Sequence, residues 1–196
     1  MTKITIEDLS RLNQQYPRTA AIVTAQAKGN KNAMVVAWHT SISSKPPLYG
    51  ISISPKRFTY QLIVDSKEFG INFLPLEAAE LVASVGGSSG QQTDKFERFN
   101  IVQDNPAKTA VPILEAAYAA YECKLVDDLS WGDHQLLVGK IVAVQVSEEA
   151  FTPEGVLDLN QVSPALYLGH DFYVTADKNS LRHLDREVYG QILKEG

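Results

Sequence analysis

The chain has 196 residues, 44% hydrophobic and 21% charged, a balance that suits one soluble globular domain with its own core. A formal net charge of −5 with no basic run excludes a long-range pull toward nucleic acid or anionic lipid, so any anion site must be local. Cys123 is the single cysteine, which excludes an internal disulfide and a cysteine zinc site. No apolar run reaches the roughly 18 residues of a membrane span and MTKITIEDLS lacks an export signal, so the expectation is one cytoplasmic domain over residues 1–196.

From the N terminus, Thr5 can cap a first helix with Ile6, Leu9 and Leu12 as its apolar stripe, ending before Pro17. Residues 19–27 (TAAIVTAQA) read as a strand, Gly29 and Asn30 suit the positive φ of a hairpin turn, and NAMVVAW is the antiparallel partner. SISSKPP then reads as a loop, because a Pro pair cannot join a central ladder, and LYGISIS resumes with a period of two. In that strand Ile51 and Ile53 face one way while Ser52 and Ser54 face the other. Pro55 stops it, and a helix over about 59–65 follows with Tyr60, Ile63 and Val64 turned inward.

KEFGINFLP returns to strand and sets Asn72 on the face opposite Phe69 and Phe73. EAAELVASVGG is a helix that stops at Gly86 and Gly87, and SSGQQTDKFERF is a polar loop, carrying Lys95, that runs into a short helical turn. Residues 116–126 (AAYAAYECKLV) form a long strand. DDLSWGDH is a turn, and HQLLVGKIVAVQV is a second long strand with a bend at Gly139. Strands at this spacing predict a mainly β fold with a closed or nearly closed sheet and peripheral helices. TPEG is a turn, and ALYLG and FYVT add short strands to that sheet or to a partner subunit. The tail predicts a terminal helix with Leu181, Leu184 and Val188 as its stripe.

Ser52, Ser54, Arg57 and Thr59 gather hydroxyls and a guanidinium where a helix begins, which is what a phosphate needs to replace lost water; Lys95 joins them if the fold brings it close. The plain alternative is a strand ending in a solvated basic turn. Asn32, Trp38, His39 and Thr40 could hold the edge of a flat polar ring, although a Trp is more often core. Asn72 could meet a planar heterocycle or cap a turn. His134, beside Asp133, could donate a proton or position a second anion, or be an ordinary surface residue. His39, His134, His170 and His183 lack metal-ligand spacing, and the GxSxG, GxGxxG and GxxxxGK[ST] patterns are absent.

In order, PRTAAIVTA, GNKNAMVVAWHTSISSKPPLYGISI, SPKRFTYQLI, KEFGINFLP, GGSSGQQTDKF, YECKL, GDHQLLVGKIVAV and LYLGHDFYVT resemble the flavin reductase-like family of FMN-binding split barrels, which includes flavoredoxins and ferric reductases. The resemblance implies a homodimer of six-stranded, Greek-key-like barrels with helices outside and FMN near the subunit interface. It implies that Trp38, His39, Thr40, Ser52 and Ser54 meet the isoalloxazine, that Arg57, Thr59 and Lys95 hold the phosphate, and that His134 lies on the nicotinamide side as the catalytic residue. Asn72 is a further cofactor contact. The implied activity is NAD(P)H-dependent reduction of flavin or ferric iron through FMN, with NAD(P)H as a transient reductant. The alternative is a non-enzymatic, flavoredoxin-like electron carrier.

Overall fold

The computed structural model describes residues 1–7 and 14–192. The expected first helix has Leu9 and Leu12 among residues 8–13, so it lies outside the described residues. The chain then runs β1 (Arg18–Thr19), β2 (Ala21–Ala27), β3 (Asn30–Val36), β4 (His39–Ser44), β5 (Pro47–Ile53), α1 (Phe58–Ser66), β6 (Glu68–Phe73), α2 (Ala79–Gly86) and α3 (Lys95–Arg98). It continues through β7 (Gln103–Asp104), β8 (Ile113–Leu114), β9 (Ala119–Trp131), β10 (His134–Val146), β11 (Leu166–Gly169), β12 (Phe172–Val174) and α4 (Arg186–Ile192).

Seven strands form one antiparallel sheet in the order β3-β2-β6-β9-β10-β5-β4. Its two edge strands, β3 and β4, are consecutive in the chain and separated only by Ala37 and Trp38. So short a link cannot cross an open sheet, because a residue reaches about 3.5 Å at most. The sheet therefore curls until its edges meet at Trp38, whose carbonyl accepts from the Ser52 N–H at 2.8 Å. No ladder joins β3 to β4, so the barrel is split; if β3 and β4 are taken as one bent strand, it is six-stranded.

Curling gives the sheet two buried faces. Ala21, Val23, Ala25, Ile51, Ile53, Phe69, Ile71, Cys123 and Leu137 fill the interior, and α1 packs Leu62 and Ile63 into the same cluster. Ile22, Ala33 and Leu74 point the other way, against Val82 and Val85 of α2 and Phe96 of α3. Strand β2 is buried on both sides, as its nearly unbroken apolar run requires.

Several sequence expectations need correction. The expected loop over residues 41–47 is mostly strand: 41–44 belong to the edge strand β4, mostly exposed, where polar side chains cost nothing, Pro47 opens β5, and the connection is the two-residue turn Lys45–Pro46. The β2–β3 turn is Lys28–Gly29, at φ 51° and 79°, and Asn30 already belongs to β3. DDLSW is strand, so only Gly132 and Asp133 make the β9–β10 turn. On α1, Leu62 joins Ile63 inside, and Tyr60 packs partly buried against the same cluster while its hydroxyl donates to Asp128 at the surface. β11 and β12 join β1 in a separate three-stranded sheet rather than extending the barrel. The terminal helix starts at Arg186, after Leu181 and Leu184, which are exposed, as is Val188. The bend expected at Gly139 coincides with a register shift between Val138 and Gly139. Among the described residues no helix is long and apolar enough to cross a membrane, and no cluster of His, Cys, Asp and Glu could hold a metal ion.

Candidate functional site

Sheet register brings distant residues to one wall. Gln135 pairs with Ile53 and Leu136 with Ser52, so by extension His134 stands opposite Ser54, and Ser52, Ser54 and His134 share the outer face. The Trp38 ring lies 5.1 Å from the His134 ring, centroid to centroid. Facing this wall are the start of α1, the end of α2 and the loop before α3. Together they enclose a cavity of about 310 Å³ whose walls include Asn32, Trp38, Ser52, Ser54, Arg57, Thr59, Ser88, Gly90, Lys95 and His134.

The charge pattern of this cavity stands out against a chain of net charge −5. Lys56, Arg57 and Lys95 line it, and among the described residues no Asp or Glu does. Lys95 is only 3% exposed, and its Nζ donates to the carbonyls of Ala33 at 2.9 Å and Val85 at 2.8 Å. Burial, and then the Arg57 guanidinium, lower its pKa from 10.5 to about 8. Lys95 is the first residue of α3 rather than part of a solvated loop, and Asp94 caps that helix by accepting from the Phe96 and Glu97 N–H groups. At the start of α1, Arg57 is the N-cap and supplies no side-chain cap; the Arg57 and Tyr60 N–H groups donate to the Ser54 and Arg57 carbonyls, which leaves those of Phe58 and Thr59, two residues that line the cavity, without a partner among the described residues.

His134 Nδ1 and Asp133 Oδ1 are 2.7 Å apart, and this pairing holds the Asp133 carboxyl below its ordinary pKa. The Nε2 of His134 makes no hydrogen bond among the described residues, and the residue lines the cavity.

Three expected site residues are not brought to the cavity. His39 pairs with Ile51, so its ring faces the barrel interior. Its Nε2 lies 2.8 Å from the Thr19 carbonyl, which can only accept; Nε2 therefore carries the proton, and Nδ1 accepts from the Tyr49 hydroxyl at 2.7 Å. Burial lowers the His39 pKa and favours this neutral form. Thr40, one residue along, is exposed on the outside of the edge strand. Asn72 is fully buried, with its amide spent on structure: Nδ2 donates to the Ile22 carbonyl at 3.0 Å, and Oδ1 accepts from the Leu114 N–H at 2.9 Å. Nδ2 also donates to the Thr24 hydroxyl at 3.3 Å, so Asn72 fastens the segment around Leu114 to the sheet, away from the cavity.

Two contributions escaped the sequence reading. Asn32 stands not beside a ring edge but at the cationic end, donating to the Thr59 hydroxyl at 2.8 Å. The Ser88–Gln91 loop forms a wall, and Gly90 is required there, because a Cβ would collide with the Asn32 carboxamide. The signal was the alternation along β3, which puts Asn32 and Met34 on one face; the loop has no periodicity to read.

Fold and cavity together define a class: a split β-barrel with a cationic pocket between sheet and helices, suited to a small molecule with an anionic end. The chain belongs to the flavin reductase-like domain family, whose model matches residues 13–176. A curated relative from Aeropyrum pernix is 31% identical over 86% of this chain, and the match spans 63% of that protein's length. The ferric-chelate reductase (NAD(P)H) of Archaeoglobus fulgidus is 28% identical over 66% of this chain and 76% of its own. Among solved structures, the FMN-binding protein from Thermus thermophilus, crystallised with 1-cyclohex-2-enone, is 32% identical with a TM-score of 0.83, covering 93% of this chain and 99% of that one.

Proposed function

We propose that this protein is an FMN-dependent oxidoreductase that accepts electrons from NADH or NADPH and passes them to a flavin or ferric acceptor. The observation that carries this is the pairing of buried Lys95 with Arg57 in a pocket that no carboxylate among the described residues lines. A buried ammonium with no anionic partner is costly, and a bound phosphate dianion removes that cost. The residues fit the phosphate end of FMN: Arg57 supplies a fork, Lys95 a point charge with one proton left after its two carbonyls, Thr59 a hydroxyl and α1 its open N–H groups.

Trp38, Ser52, Ser54 and His134 sit along the sheet wall, where they would orient and desolvate the flavin ring. When bound, the isoalloxazine supplies a two-electron acceptor that can pass electrons on singly or in pairs, chemistry no side chain of this protein offers. His134, with Asp133 on Nδ1 and Nε2 free, would hold or move a proton, or steady a nicotinamide donor, at the cavity mouth.

The reading includes a homodimer in a reducing compartment such as the cytoplasm. Supporting it are exposed Val126, Leu129 and Trp131 on the β9–β10 hairpin, and a cysteine that is buried and unpaired. Anaerobic addition of NADH or NADPH to the FMN-loaded protein tests the activity. Bleaching of flavin absorbance is expected. Reduction by dithionite but by neither nicotinamide would overturn the enzyme in favour of an electron carrier.

A further inference from the structure

Where β3 and β4 meet without a ladder, the seam is tied by a histidine that the proposed chemistry does not use. His39 opens β4 with its ring turned inward, and both ring nitrogens are bonded: Nε2 donates to the Thr19 carbonyl at 2.8 Å and Nδ1 accepts from the Tyr49 hydroxyl at 2.7 Å. One side chain thus joins β4 to β1 and β5. Next to it, the Ser52 N–H donates to the Trp38 carbonyl at 2.8 Å, and Arg18 Nη1 donates to the Ala37 carbonyl at 3.4 Å. Ala37, Trp38 and Ser52 line the cavity, so the seam is also cavity wall.

These bonds suit the neutral ring alone. Protonation places a second N–H, on Nδ1, against a hydroxyl that was donating to it. Tyr49 must then turn its proton away, yet it is 6% exposed and makes no other hydrogen bond among the described residues, so a buried donor is left unpaired. The new charge also stands near Arg18 of β1. From the other elements the ring meets Tyr49 of β5 and Phe73 of β6, with Tyr118, Tyr121 and Cys123 behind them, and among the described residues no carboxylate pairs with His39 or Arg18. Burial lowers the His39 pKa, the Thr19 bond opposes this, and Arg18 adds to it. Below the ordinary 6.5 the folded protein therefore binds fewer protons here than a chain with the ring released, and the hold of the ring on the seam is lost as the pH falls from there toward the folded value.

We propose that His39 is an acid-sensitive latch: when its ring takes a second proton, the seam at Ala37 and Trp38 opens locally and admits solvent to the cavity, while the rest of the sheet stays paired. Strands β2, β6 and β9 keep their continuous ladders and have no part in the latch. Protonation of a buried histidine at a junction between two elements biases which arrangement is held, and the junction here is one wall of the cavity.

The test uses the ligand-free protein. NMR of the imidazole resonances follows the titration of His39, and amide hydrogen exchange, corrected for its intrinsic pH dependence, follows the Ser52 N–H, with hydrogen-bonded amides of the β6–β9 ladder as reference. Between pH 7.5 and 5.0 the protection of the Ser52 amide is expected to fall by about 5-fold or more in step with His39, and that of the reference amides by less than about 2-fold. His39→Gln keeps a donor for Thr19 and an acceptor for Tyr49 but takes no charge in this range, so its Ser52 amide should change no more than the reference. If that variant does not fold, the wild-type curves decide alone. A Ser52 amide that keeps its protection while His39 titrates, that loses it together with the reference amides, or that loses as much in a folded His39→Gln variant, overturns the latch.

Discussion

Arg57 presses on Lys95: its guanidinium adds to burial in lowering the ammonium's pKa to about 8, and among the described residues no carboxylate lines the cavity they share. Like charges gathered in one pocket without a counter-ion destabilise the empty protein, and the anion that relieves them is bound with the energy so stored.

Arg57→Ala is expected to weaken FMN binding by about 1.5–3 kcal/mol, the scale of a charge-assisted hydrogen bond, which is roughly 10- to 150-fold in Kd. Riboflavin affinity should stay within about 3-fold. Calorimetric titration of both ligands checks this, and equal losses would place the phosphate away from Arg57.

Lys95 makes binding and folding respond to pH in opposite senses. Its folded pKa of about 8 lies below the ordinary 10.5, so between these values the empty folded protein binds fewer protons than the unfolded chain, and its stability rises with pH. The contribution amounts to about 3 kcal/mol across that window. A bound dianion holds the lysine charged, so FMN affinity should fall as pH rises above about 8, with proton uptake on binding. Lys95→Met should abolish that uptake, measured by titration in buffers of different ionisation enthalpy.

Glu122 is a stability determinant outside the site. It is fully buried, and its carboxylate accepts from the N–H groups of Ala107, Lys108 and Thr109, the Thr109 hydroxyl and the Gln145 amide, at 2.7–2.9 Å. Burial alone would raise its pKa, but these bonds outweigh it and bring the value from 4.5 to about 2. The stabilisation is present above about 4.5 and is lost as the pH falls toward 2. Glu122→Gln should cost about 3 kcal/mol at neutral pH by urea unfolding, and should flatten the acid limb of stability below pH 4.5.

His134→Ala should lower the rate of flavin reduction by nicotinamide by about 10- to 100-fold while changing FMN affinity by less than about 3-fold, a split expected of a residue at the reacting face. Stopped-flow reduction beside a binding titration separates the two effects. An unchanged rate would leave His134 as packing for Trp38.

Much of the barrel was legible because long β-branched strands and short turns dominate the chain; Ala21–Ala27 and His134–Val146 announce themselves by apolar content alone. Strand β4 did not, because an edge strand needs neither an apolar face nor a complete ladder, and HTSISS imitates a loop. Arg57 and Thr59 were legible as local neighbours on one helix start. The burial of Lys95 was not, since it depends on where a loop without periodicity crosses β3. His39, Thr40 and Asn72 stand away from the cavity for a related reason: which face of a strand looks at it is decided by register with a partner far along the chain.

The most direct measurement is the affinity of the purified apo-protein for FMN set against that for riboflavin at pH 7. A site that grips the phosphate with Arg57 and Lys95 predicts FMN tighter by about 30-fold or more. Equal affinity for the two flavins, or none for either, would contradict it.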